Sequence, residues 1–420
     1  MFQDLYTDFH SEQLDNGLSV YVKEWPCASW FYAGVVIHAG AREDPVERSG
    51  LAHLVEHVVG ENVHPLTFAQ LERTFKTLLG GYAWFGTTSY YSSEYKFHLP
   101  NEEKHIHRAL DLFGQMLLLP KELSQQIKEE KAVILREYHR RYEHEQARSW
   151  ALQGRPWLFE HHHRLQSYHS AIGVPDGFMG SSQQDIQAFY DSYYVPQNSS
   201  LICIGTLGKQ RLLHLLQDTP FSTQRSGQRN PLPGPFFPKL PQRHEQSIRM
   251  AEFSRLAQWE AEISFEWVLP LHFERSCVQL FCDLFEERLT EELRYTWHLT
   301  YAVTVSHVHY QDCRILRIFF KTAPDAVGKA QELFWKVLRS LDQAEENYSE
   351  TKQETLASIY RMDYSGYDLL ESAMDDLAGY QRLISFSEEI EQVQQVTFEC
   401  IVELARYLTE ERHFCFIMLP

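Results

Sequence analysis

Cysteine is sparse in this sequence: seven residues, at 27, 203, 277, 282, 313, 400 and 415, lie scattered over 420 positions with no Cys-x-x-Cys pair. That spacing argues against both a disulfide framework and a cysteine-based zinc site, and it fits a reducing cytoplasm. No apolar run approaches the roughly 18 residues that a bilayer span requires. The opening MFQDLYTDFHSEQLDNGLSVYVKEW lacks the basic and apolar regions of a secretory leader, so the chain is expected to start at Met1. Basic residues are also in short supply: 39 Lys and Arg face 57 Asp and Glu, a formal charge of −18. This balance disfavours nucleic acid and anionic membranes as partners. It suits a basic peptide, but solubility alone accounts for it equally well. What the chain does have is core-forming material, with 44% hydrophobic and 14% aromatic residues. That is too much for disorder, and the length favours two domains of about 200 residues.

The runs LSVYVKEW (18–25) and WFYAGVVIHAG (30–40) have strand character and are expected to be adjacent in one sheet. A helix over 50–60, a second amphipathic helix within 65–79 and a strand over 87–99 are predicted next. Helices at about 101–118, 121–150 and 183–193 then lead to the strand SLICIG (200–205). The segment 218–245 holds six of the 17 prolines and reads as an interdomain linker with neither helix nor central strand. Beyond it the order recurs: strand 264–271, helix 274–294, strands 302–310 and 314–322, helices to about 410, and a last strand CFIML. The repetition predicts a duplicated α+β domain, with residues 1–217 and 246–420 as the two units.

Residues 49–61, SGLAHLVEHVVGE, put His53 and His57 four apart, hence on one helical face a turn apart, with Glu56 beside them. This geometry suits one zinc ion, whose bound water would fall in pKa toward about 7 with a carboxylate close enough to take its proton. The order His-x-x-Glu-His is the inverted zincin signature. Taken alone, the same residues read equally as polar groups on a helix surface. In EEKAVILREYHRRYEHE (129–145), Glu130 and Glu137 lie two turns apart on one face. Glu137 can complete a His2Glu set while Glu130 orients a ligand from behind, although a long charged helix offers many such pairs. His139 is expected to stay outside the metal set, and His161-His162-His163 to lie in a solvent-facing loop.

The stretches LDNGLSVYV, GAREDPVERSGLAHLVEH, LGGYA, EEKAVILRE and IGVPDGFMGSSQQDIQAFYDSYYVPQNSSLICIG together resemble the pitrilysin/insulinase family of zinc metallopeptidases, in its two-domain, processing-peptidase-like form. The resemblance covers nearly the whole chain. It implies two similar domains, each a mainly antiparallel sheet covered by helices, enclosing a clamshell chamber. It further implies that His53, His57 and Glu137 bind Zn2+, that Glu56 is the general base for a zinc-bound water, and that Glu130 supports the ligands. FEERLTEELRYTWHLTYAVTVS resembles the segment that supplies an arginine and a tyrosine to the substrate carbonyl, here Arg294 and Tyr301.

From His57 to Glu137 there are 79 intervening residues, slightly more than is usual for the family, with the excess near YAWFGTT. There the family commonly has Asn-Ala-x-Thr, whose asparagine and edge-strand backbone hold a peptide extended. This chain has Tyr82-Ala83-Trp84-Phe85-Gly86-Thr87, so Ala83 and Trp84 are the candidate substrate contacts, with either an altered subsite or a local divergence on an unchanged backbone. The implied activity is a cytoplasmic zinc endopeptidase for short or unfolded peptides. One alternative is a specialised maturation protease for a modified peptide or cofactor precursor, working in a homodimer or with a paralogous partner subunit. Another, of a different class, is a noncatalytic peptide-binding or structural subunit.

Overall fold

A computed structural model describes residues 4, 6, 8–61, 66–119, 121–124, 126–143, 159, 165, 168, 170–224, 227–228, 244–249, 260–310, 312–361, 365–408 and 413–419. Strands β1 (Phe9–Gln13), β2 (Ser19–Glu24) and β3 (Trp30–Ile37) open the chain, followed by helices α1 (Leu51–Glu61) and α2 (Phe68–Arg73). A hairpin of β4 (Tyr82–Thr88) and β5 (Ser93–Pro100) leads to α3 (Glu103–Leu118) and α4 (Ile127–Glu143). Helix α5 (Gln183–Tyr193), β6 (Ser199–Gly205) and α6 (Lys209–Leu216) complete the first half. The second half runs β7 (His244–Arg249), β8 (Ala261–Leu269), α7 (Arg275–Thr290), β9 (Val303–Tyr310), β10 (Cys313–Thr322), α8 (Val327–Arg339), α9 (Glu345–Arg361), α10 (Gly366–Tyr380), α11 (Phe386–Gln395), α12 (Phe398–Tyr407) and β11 (Phe414–Leu419).

The fold is the α+β architecture of two similar halves expected from the sequence. One sheet has the order β1-β2-β6-β3-β5-β4 and the other β7-β11-β8-β10-β9. Without β1 the two orders superimpose: in each half the last strand inserts parallel to the earliest and antiparallel to its other neighbour. This insertion corrects the first expectation, because β6 separates β2 from β3. Its burial on both faces, with every residue from Ser199 to Gly205 buried, is the mark of a central strand. The run 87–99 is likewise two strands rather than one. Ser89 and Ser92 close the turn between them, through a backbone bond of 2.8 Å and a hydroxyl pair 2.7 Å apart.

Strand alternation explains how the halves hold together. On β3 and β6, Phe31, Ala33, Val35, Ile37, Leu201 and Cys203 face the first half's own helices, whereas Val36, Ile202 and Ile204 join the second half's core. Helix α10 supplies that cover, packing across β3 and β6. Reciprocally, Tyr90, Phe159 and Leu165 of the first half close over Val268, Ile315 and Phe416 of the second. Most of the segment expected to be a linker, 225–226 and 229–243, lies outside the described residues, as does His161-His162-His163. Its beginning departs from expectation: Pro220–Thr223 is a helical turn with proline at a permitted first position, and Phe221 is buried in the first core.

Candidate metal centre

Helix α1 is fixed at both ends. Its entry needs Gly50, whose φ of +91° is cheap only for glycine and whose missing side chain lets Ile172 and Gly173 approach. The Asp44 carboxylate accepts from Gly50 N at 2.7 Å and Ala52 N at 2.8 Å, filling donors that a helix start leaves open. Burial pushes Asp44 up to about 8 against the pull of these donors. At the other end Lys121 Nζ donates to Val59 O at 3.1 Å and Met116 O at 2.6 Å, joining the last turns of α1 and α3; burial pushes this amine down to about 7.

On that helix the His53 and His57 rings stand 4.7 Å apart, centroid to centroid. Glu137 reaches them from α4, with Oε2 3.8 Å from His53 Nε2 and 3.9 Å from His57 Nε2. One ligand atom from each of the three residues lies within 4.8 Å of the others. These separations exceed the ~3.3 Å edge of a zinc tetrahedron with bonds of about 2.0–2.1 Å, by an amount that side-chain torsions absorb. Two imidazole nitrogens and one carboxylate oxygen are a zinc-type donor set.

The surroundings suit a dication as well. Glu130, two turns before Glu137, has Oε2 2.9 Å from His57 Nδ1, which leaves His57 Nε2 turned toward Glu137. Burial, and then the neighbouring His57, hold His53 down to about 3, so its imidazole is neutral and able to ligate. For His57 burial pulls downward, but the bond from Glu130 and the nearby carboxylates win and raise it. Three carboxylates around two imidazoles leave an excess of negative charge that a bound cation would offset.

Glu56 lies inside this cluster, with Oε2 3.8 Å from His53 Nε2 and 3.0 Å from the donating Thr88 Oγ1. Burial pushes it up to about 7 against the opposing effects of His57 and Thr88. Thr88 belongs to β4, the edge strand of its sheet, which packs on α1. Ala83 is buried in β4 opposite Phe97, and Trp84 stands in the same strand opposite Lys96. Arg294 and Tyr301 are brought to each other, the guanidinium 4.8 Å from the ring centre, with Tyr301 79% exposed. No hydrogen bond or ion pair among the described residues joins that pair to the His53, His57 and Glu137 cluster. A cleft in the second half, lined by Cys277 and Cys400 among others, shares no residue with it either.

Asp44, Thr88 and Lys121 were not singled out in the sequence. Asp44 sits within the GAREDPVERSG approach, and the Thr-Thr pair follows directly on Gly86. Lys121 announces itself only by following the apolar run that ends α3.

Residues 20–153 match the model of the insulinase family (peptidase family M16), and residues 181–355 match the model of the peptidase M16 inactive domain. The chain belongs to the M16 family. It is 22% identical over 191 residues to the zinc protease PqqE of Helicobacter pylori, an alignment covering 43% of this chain and 39% of that protein. In fold it is similar to the periplasmic protease PqqL from Escherichia coli, with a TM-score of 0.81 at 19% identity, over all of this chain and 48% of that one. A protease from Helicobacter pylori superimposes with a TM-score of 0.78 at 17% identity, over 98% of this chain and 99% of that one. The chain thus spans less than half the length of two of these M16 relatives.

The Escherichia coli relative is periplasmic, and this overturns the cytoplasmic assignment drawn from the cysteines. Five of the seven cysteines are buried, as small apolar side chains are in any core, so their scatter along the sequence carries no information about compartment.

Proposed function

We propose that this chain is a zinc-dependent endopeptidase acting on short or unfolded peptides. The observation that carries the reading is the convergence of His53, His57 and Glu137 within 4.8 Å, with the Glu56 carboxylate beside them. Zinc held by these three residues would lower the pKa of a coordinated water toward about 7 and polarise a peptide carbonyl. Glu56 takes the proton from the attacking water and later hands it to the leaving amine. Glu130 holds the His57 ring in the ligating tautomer. The outer edge of β4, which carries Ala83 and Trp84, offers backbone groups to an extended peptide. Arg294 and Tyr301 supply a cation and a phenol for the negative charge that develops on the carbonyl oxygen. A division into a zinc-binding unit, residues 1–217, and a second unit, 246–420, goes with this reading, as does action with a paralogous partner subunit.

Metal analysis of the purified protein, paired with cleavage of a quenched peptide library, tests the proposal. One zinc per chain and cleavage abolished by a chelator are expected. Glu56→Gln should keep the zinc and lose about 10²–10⁴-fold in turnover. Cleavage that survives chelation, or a zinc-loaded Glu56→Gln protein as active as the original, would refute it.

A further inference from the structure

We infer that Thr88 and Gly86 are positioning residues that hold the Glu56 carboxylate between them, and that the bulge in β4 exists to bring them there. The register carries the first step. Trp84 pairs with Lys96 and Thr87 with Glu94, so β4 takes three steps where β5 takes two, and one extra residue is inserted. Side chains alternate faces along a strand. Ala83, opposite Phe97, faces the core that includes α1, and so must any residue opposite Ser93. Without the insertion that residue would be Thr87, and Thr88 would turn away from α1. With it Thr88 pairs with Ser93, and its hydroxyl donates to Glu56 Oε2 at 3.0 Å.

Gly86 closes the other side. A side chain built on it would overlap Oε1, Cδ and Cγ of Glu56, so the backbone of the bulge is packed directly against the carboxyl group. One oxygen is thus held by a hydroxyl and the other is walled in by a glycine. The carboxylate is left a single seat, 3.8 Å from His53 Nε2. The local sequence Phe85-Gly86-Thr87-Thr88 has one purpose on this account: a strand lengthened by one residue, bare where it meets the base and hydroxylated where it must donate.

The consequence for catalysis rests on the proposal that Glu56 is the base, whereas the seating of its carboxyl group does not. The test therefore has two arms. In zinc-loaded protein, Thr88→Val should lower kcat about 10-fold with KM within about 2-fold, and Thr88→Ser should restore it. Gly86→Ala, which displaces the carboxylate, should lower kcat about 100-fold, the scale on which a misplacement of about 1 Å acts. Zinc should stay at one per chain in all three variants, which also verifies that they fold.

The second arm needs no activity. The infrared carboxyl band of Glu56, assigned by its loss in Glu56→Gln, should shift in Thr88→Val and Gly86→Ala and stay in place in Thr88→Ser. An unshifted band in both Thr88→Val and Gly86→Ala overturns the inference, whatever the protein cleaves. A shifted band in a protein that cleaves no peptide upholds the seating and sinks the proposed function instead.

Discussion

In the first half the helix beside the edge strand carries His53, Glu56 and His57 into the interior; in the second half the corresponding helix, α7, presents Cys277, Leu280, Phe281, Cys282, Leu284 and Phe285 to its core. Both helices pack on an edge strand, α1 on β4 and α7 on β9, and in both halves a π-helical turn precedes that strand. The carboxylates differ accordingly. Glu286 on α7 accepts from the backbone Val305 N at 2.7 Å, a bond that fastens the edge strand. Glu56 on α1 takes a side-chain hydroxyl from its strand and keeps its remaining capacity inside the cluster. The same strand plan can therefore carry a helix with clustered ionisable groups or an apolar one. Buried ionisable groups cost stability unless paired, and the first half bears that cost where a cation can offset it.

The contrast can be broken most severely by exchanging what each helix gives up. His57→Ala should abolish zinc binding and peptide cleavage, read by metal analysis and a cleavage assay, while costing the metal-free protein only about 1–3 kcal/mol through the loss of the partner of Glu130. Phe285→Ala, in the second half, should do the reverse. Zinc stays, but the cavity costs about 3–5 kcal/mol of stability in denaturant titrations.

A smaller effect belongs to the residue behind the ligands. Glu130→Gln should weaken zinc binding about 10–100-fold in competition with a chelator, since the neutral amide holds the His57 ring less firmly.

The pH dependence of the metal-free protein sharpens the comparison further. The Glu56 carboxyl is raised from 4.5 to about 7 in the fold, so between those values the folded state binds the additional proton. Stability from this group is full below about 4.5 and is lost as pH rises to about 7. Glu56→Gln should remove that slope and stabilise the metal-free protein above pH 7 by at most roughly 3 kcal/mol, measured by unfolding across pH 4–8. The smallest change expected is Lys121→Met. It strands the carbonyls of Val59 and Met116 and should cost about 1–3 kcal/mol, loosening the end of α1.

The helix that carries His53 and His57, the helix that brings Glu137 and several of the strands were legible because each rests on local periodicity or spacing. His53 and His57 share a face by helical geometry, and Glu130 and Glu137 do so again two turns apart. What could not be read locally depends on partners far along the chain. The insertion of β6 between β2 and β3 joins residues 181 positions apart, such as Ser19 and Ser200, and no pattern in LSVYVKEW announces it. The bulge in β4 shows only as a slightly long interval, and its effect, turning Thr88 toward Glu56, follows from counting register against β5. Asp44 and Lys121 look like ordinary surface charges until the ends of α1 are seen to need an acceptor and a donor. Arg294 and Tyr301 meet because the turn between α7 and β9 folds back on itself, bringing two residues seven apart face to face.

Met374 of α10 sits over Gly34, and the strand face that holds Gly34 also exposes Val36, with Ile202 and Ile204 alongside, to the second half. Severing the chain within the proline-rich stretch and parting the fragments would leave this greasy wall bare to water. The two pieces are therefore obligate companions: made separately they should clump, and made together they should find each other without the covalent tether.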